Sequence, residues 1–94
     1  MKQHKMLDGC FLFQETHLDG SIKSEKNIEL MYIHGFLLHE CNLPEDQVNN
    51  AIKITLDNPG QPYDVHLTDD RGAIVWASRI TYKQRTQYNL GAKR

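Results

Sequence analysis

The chain predicts an α+β fold: one four-stranded antiparallel sheet with two helices on one face, in the order β-β-α-α-β-β. Two hairpin signals carry this prediction, Asp19-Gly20 early in the chain and Asp69-Asp70-Arg71-Gly72 late in it. Between them lie two stretches whose apolar residues recur at helical spacing. Strands and helices grouped in this way build a two-layer domain around one core.

Gly9-Cys10-Phe11-Leu12-Phe13 is apolar at consecutive positions, as in a strand covered on both faces. Asp19-Gly20 turns the chain, and Ser21-Ile22-Lys23 is a short return strand. Ser24 then suits an N-cap, because its hydroxyl can accept a backbone N–H left free in the first helical turn. Glu25 meets the positive end of that helix's dipole. The predicted helix covers residues 25–41, with Leu30, Met31, His34, Leu37, Leu38 and Cys41 on its core-facing side. Pro44 at a first helical position opens the second helix at no cost in hydrogen bonds. Val48, Ala51, Ile52, Thr55 and Leu56 continue it until Asp57-Asn58-Pro59-Gly60 stops the run. A strand over residues 52–56 is the alternative, disfavoured by the wider spacing.

Tyr63, Val65 and Leu67 alternate with Asp64, His66 and Thr68, the pattern of a half-buried strand. The longest strand follows from Ala73 to Tyr82, with Trp76 expected among the core contacts. A symmetric turn pairs Val65 with Trp76, whereas a type I turn with Gly72 left-handed pairs His66 with Trp76. Residues 84–94 read as a basic tail, expected to be partly mobile.

The 94 residues fit a single α+β domain, and a chain this short buries roughly 60–70% of its unfolded surface. The net charge of −1 hides strong sorting. Residues 40–70 hold seven acids and one base, and residues 71–94 hold six bases and no acid. The two blocks can neutralise each other within the monomer, pair across a homodimer, or offer the basic end to an acidic partner. Apolar stretches are too short and too interrupted to span a bilayer, and the N-terminal run broken by Asp8 is too short for a signal peptide. Two cysteines are too few for a disulfide scaffold, so a cytoplasmic protein with free thiols is expected.

Candidate functional residues fall in two groups. Tyr32 and Phe36 stand four apart, opposite the predicted core stripe, among Glu29, His39 and Glu40. An aromatic pair in a charged rim has the composition of a protein-binding hot spot. The competing reading is that other parts of the chain cover both rings. The second group is the basic block, Arg79, Lys83, Arg85, Tyr88, Lys93 and Arg94, whose cations could meet phosphates while the tyrosine stacks on a base. An overall pI near 6.5 argues against that role. His34 reads as a hydrogen-bonded core histidine, or as a polar position in a homodimer seam formed with Asn27, Leu30, Leu37 and Cys41.

No metal ligand set or cofactor is expected, since neither CxxC nor HxxxH occurs. No nucleophile or phosphate-loop motif accompanies His17, His66 or the aspartates, so the chain is not read as an enzyme. The leading expectation is a small accessory protein of inhibitor or adaptor type, such as mobile elements carry, acting by binding another protein. Nucleic-acid binding through the basic block is the alternative.

Overall fold

The computed structural model describes residues 9–84. It is the expected α+β domain, a four-stranded antiparallel sheet with strand order β2-β1-β4-β3. The strands are β1 (Gly9–Thr16), β2 (Ile22–Glu29), β3 (Tyr63–Thr68) and β4 (Ile74–Gln84). Between β2 and β3 lie α1 (Leu30–Gly35), continued by a π-helical turn (Phe36–Glu40), and α2 (Glu45–Asp57). Gln84, expected in the tail, pairs with Gly9 as the last residue of β4. The expectations for Arg85, Tyr88, Lys93 and Arg94 lie outside the described residues.

The central pair β1–β4 organises the core. Phe11 pairs with Tyr82 on one side and Ile28 on the other, and Phe13 pairs with Ile80 and Lys26. Residues directly opposite in antiparallel strands share a face, so these side chains line the same side of the sheet. Ile33 and Leu37 from the first helical segment and Val48 and Ala51 from α2 close over them. Both helices therefore cover one face. Phe11 and Tyr82 meet with ring centroids 4.9 Å apart. Gly9 makes this possible, because a Cβ there would lie 2.7 Å from the Tyr82 ring.

Both hairpins use the same turn. The N–H of His17 donates to Ser21 and that of Asp69 donates to Ala73, at 2.8 and 2.9 Å. Gly20 and Gly72 take φ of +94° and +87°, the left-handed conformation this turn requires. The Asp69 carboxylate accepts the N–H groups of Arg71 and Ala73, each at 2.9 Å. Asp19 accepts both the N–H and the hydroxyl of Ser21, which holds its carboxyl below the usual range.

The register departs from both sequence-based alternatives. Leu67 pairs with Trp76, and His66 with Ala77. Gly72 is left-handed as expected, but a bulge between Leu67 and Thr68 inserts Val75 as an extra residue and shifts the ladder by one. A matching irregularity between Glu15 and Thr16 places Lys23 as the extra residue of β2.

The largest correction concerns residues 22–29. They form a strand where a helix from Glu25 was expected. Its register pairs seven residues of β1 with β2, from Cys10 with Glu29 to Thr16 with Ile22. Of β2 only Ile28 is buried, because this is an edge strand. Ser24 accordingly caps no helix. Its lysines and glutamates discourage further strand addition at that edge and hide its strand character.

The helix starts five residues later than expected, at Leu30, and its core-facing stripe is buried Ile33 and Leu37 with partly buried Leu30 and Cys41. That stripe is rotated by about 50° from the expected one at 100° per residue. Met31 is consequently 74% exposed, and His34 is exposed as well. The π-helical turn closes with the Cys41 N–H donating to Phe36, and Asn42 leaves the helix at φ +58°. Residues 52–56 are helical, with Thr55 buried and its hydroxyl donating to the Ala51 carbonyl at 2.8 Å.

Leu37→Ala should cost about 2–5 kcal/mol, the range for a truncated core leucine. Met31→Ala should stay within about ±0.5 kcal/mol. Gly9→Ala should cost about 1–3 kcal/mol by overpacking against Tyr82. Urea denaturation checks all three, and a Met31 effect as large as that of Leu37 would contradict the observed helix face.

Candidate functional site

Turning Ile33 and Leu37 inward leaves the other side of the helix to solvent. Tyr32 is 63% exposed beside Met31. A shallow groove of about 380 Å³ is lined by Met31, Tyr32, Gly35, Phe36, His39 and Glu40. Apart from its own helix backbone and chain neighbours, nothing lies within 4 Å of where a Gly35 Cβ would sit, so the groove is open there. Four of the five predicted contact residues, Tyr32, Phe36, His39 and Glu40, thus share one surface. Glu29 is exposed at the end of β2 and does not line it. Met31 was missed because the expected stripe placed it inward.

The two aromatic rings have different environments. Phe36 is half-buried, meeting Phe13 edge-on with centroids 4.9 Å apart. The Lys26 ammonium stands 5.3 Å from its ring centre. Phe36 is therefore a wall between two concavities, and Tyr32 is the exposed member of the pair. His34 is neither a core histidine nor part of a continuous helical seam. Its Nε2 lies 3.2 Å from the Asn49 Oδ1 of α2, and Asn27 is on a strand.

Behind Phe36 lies the second concavity, a cleft of about 490 Å³ between the π-helical turn and the sheet. Phe13, Phe36 and Trp76 supply its aromatic lining, and Glu15, Glu40 and Lys26 its charges. Trp76 is half-buried, packed against the core and bordering this cleft. Its ring stacks on Phe13 at 6.2 Å with an interplanar angle of 22°. Its indole N–H donates to Glu15 Oε2 at 3.1 Å. Sequence reasoning could not find this cleft, because the π-helical turn and the unexpected strand β2, which brings Ser24 and Lys26 beside Glu15 and Phe13, build it. Cys41 lines it too, where burial first, and then the Glu15 and Glu40 carboxylates, push its thiol up to about 11. The Lys26 ammonium opposes that shift without cancelling it.

On the helix-free face, Arg79 is engaged rather than available. Its Nε donates to Asp64 at 3.0 Å. The same cross-strand row contains Gln14, whose amide donates to Glu25 at 3.0 Å. The acidic and basic blocks thus meet inside the monomer at this point. Lys83 is exposed near the end of β4. No group of three or more His, Cys, Asp or Glu side chains suited to a metal ion occurs among the described residues. None of the described helices is long and apolar enough to cross a membrane.

The raised pKa makes Cys41 a protonated, sluggish thiol at neutral pH. In a Cys10→Ser background, alkylation of Cys41 should remain slow at pH 8 and accelerate as the pH approaches 11. Glu15→Gln should bring that acceleration to lower pH. The same group contributes stability below the ordinary thiol value of about 8.5 and loses it as pH rises through the folded value. An alkylation midpoint at the ordinary value would contradict the cleft's described electrostatics.

Comparison with known proteins finds no matching family model, no matching curated protein and no matching solved structure.

Proposed function

We propose that this protein is a non-enzymatic protein-binding module of inhibitor or adaptor type, with the outer face of α1 as its contact surface. The observation that carries the reading is the adjacent exposure of Met31 and Tyr32 beside an open, mainly apolar groove. Met adapts to irregular partners, and Tyr supplies a large contact with few rotatable bonds, so the two together suit an anchor site. Phe36 makes a firm wall because Phe13 holds it from behind. Glu40 at the groove and Glu29 nearby favour an apolar partner side chain flanked by basic residues. Arg79's ion pair with Asp64 weighs against the nucleic-acid alternative.

The test begins with a pull-down from native cell lysate in the presence of nuclease, then measures affinity for the purified partner. Met31→Ser with Tyr32→Ser should leave the fold intact and cost about 2 kcal/mol or more in binding, roughly thirtyfold. Phe36 is left in place, since its contact with Phe13 would confuse folding with binding. Lys83→Gln should change affinity little, and by removing a like charge it should not slow association with a basic-flanked partner. A folded double variant that binds normally overturns the proposed face. Capture that depends on nucleic acid overturns the proposed class.

A further inference from the structure

The cleft behind Phe36 carries an inference independent of the groove in front of it. We propose that the cleft lined by Phe13, Phe36, Trp76, Glu15 and Glu40 binds an alkylated ammonium group. The ring faces of aromatic side chains attract cations through their quadrupole, and that attraction strengthens where water is excluded. Alkylated ammonium groups suit such walls because their charge is spread over methyl groups that shed water readily. Carboxylates beside the rings select a cation over a neutral group of the same shape.

Three observations support this assignment. The cleft is built rather than incidental: Trp76 is fixed by stacking on Phe13 at 6.2 Å and by its hydrogen bond to Glu15 at 3.1 Å. One cation already sits against its wall, since the Lys26 ammonium is 5.3 Å from the Phe36 centroid. The electrostatic field is net negative at Cys41, where both glutamates outweigh Lys26 in their effect on the thiol. Lys23, which does not line the cleft, stands 3.5 Å from the same Glu15 oxygen that accepts the indole N–H, with its side chain half exposed. A ligand cation on the Trp76 side of the cleft would thus compete with Lys23 for Glu15, and one at Phe36 would compete with Lys26.

Trp76 is the only tryptophan, so its fluorescence reports this site alone. The protein would be titrated with choline and with 3,3-dimethyl-1-butanol, its uncharged isostere, at constant ionic strength. Choline should give a saturable change, and the isostere should bind at least about tenfold more weakly, about 1.4 kcal/mol. Glu15→Gln keeps an acceptor for the indole N–H and removes the charge, so it should weaken choline alone. Lys26→Met removes the competing internal cation and should tighten choline binding. Circular dichroism confirms that both variants are folded. A trimethyllysine peptide, compared with its unmodified form, distinguishes a protein-borne source from a free small molecule. Equal responses to choline and its isostere, no response to either choline or the peptide, or tighter choline binding by Glu15→Gln, would overturn the proposal. So would unchanged or weaker choline binding by Lys26→Met.

Discussion

The pairing of β1 between β2 and β4 is the constraint on which the rest of this structure depends. Phe11 meets Ile28 on one side and Tyr82 on the other, and Gly9 leaves the room that Tyr82 needs. Every backbone group of a central strand must find a partner, because unpaired buried N–H and C=O groups are costly. β1 therefore demands a return strand as long as itself. This demand carries residues 22–29 through a polar stretch as a strand and postpones the helix to Leu30. The late start in turn sets which residues face the core.

The two proposed binding surfaces follow from that rotation. Ile33 and Leu37 seal the core, Met31 and Tyr32 face solvent, and Phe36 stands between the open groove and the aromatic cleft. The π-helical turn continues the wall, contributing His39 to the groove and Glu40 to both concavities. Such turns are short, rare departures from α-helical geometry and recur at functional sites. Here the turn carries Phe36 and Glu40, the two residues that line both concavities. The charge sorting, by contrast, has a partly internal explanation in the Arg79–Asp64 pair.

Sequence was informative wherever the determining chemistry is local. Gly20 and Gly72 announce their turns because left-handed backbone excludes most other residues, and Pro44 and Asn58 bracket α2 for similarly local reasons, although Pro44 is the N-cap and stands one residue before the first helical position expected for it. Tyr63, Val65 and Leu67 show their strand by alternation. β2 was illegible because it packs through Ile28 alone, and an exposed edge has no apolar period to display. The register of Trp76 was illegible because a one-residue bulge leaves no sequence mark at Val75. For the candidate site, Tyr32, Phe36, His39 and Glu40 were legible as an unusual face, whereas Met31 and the whole aromatic cleft required the backbone.

The boundary between strand and helix decides which residues face the core, and NMR of residues 22–29 tests it most directly. Long-range contacts linking Asn27 with Leu12 and Glu25 with Gln14 are the predicted result, together with extended-chain shifts up to Glu29. Helical shifts from Glu25 onward, with medium-range contacts between residues three and four apart, would contradict it. In that case Met31 would turn toward the core, and the proposed contact surface would go with it.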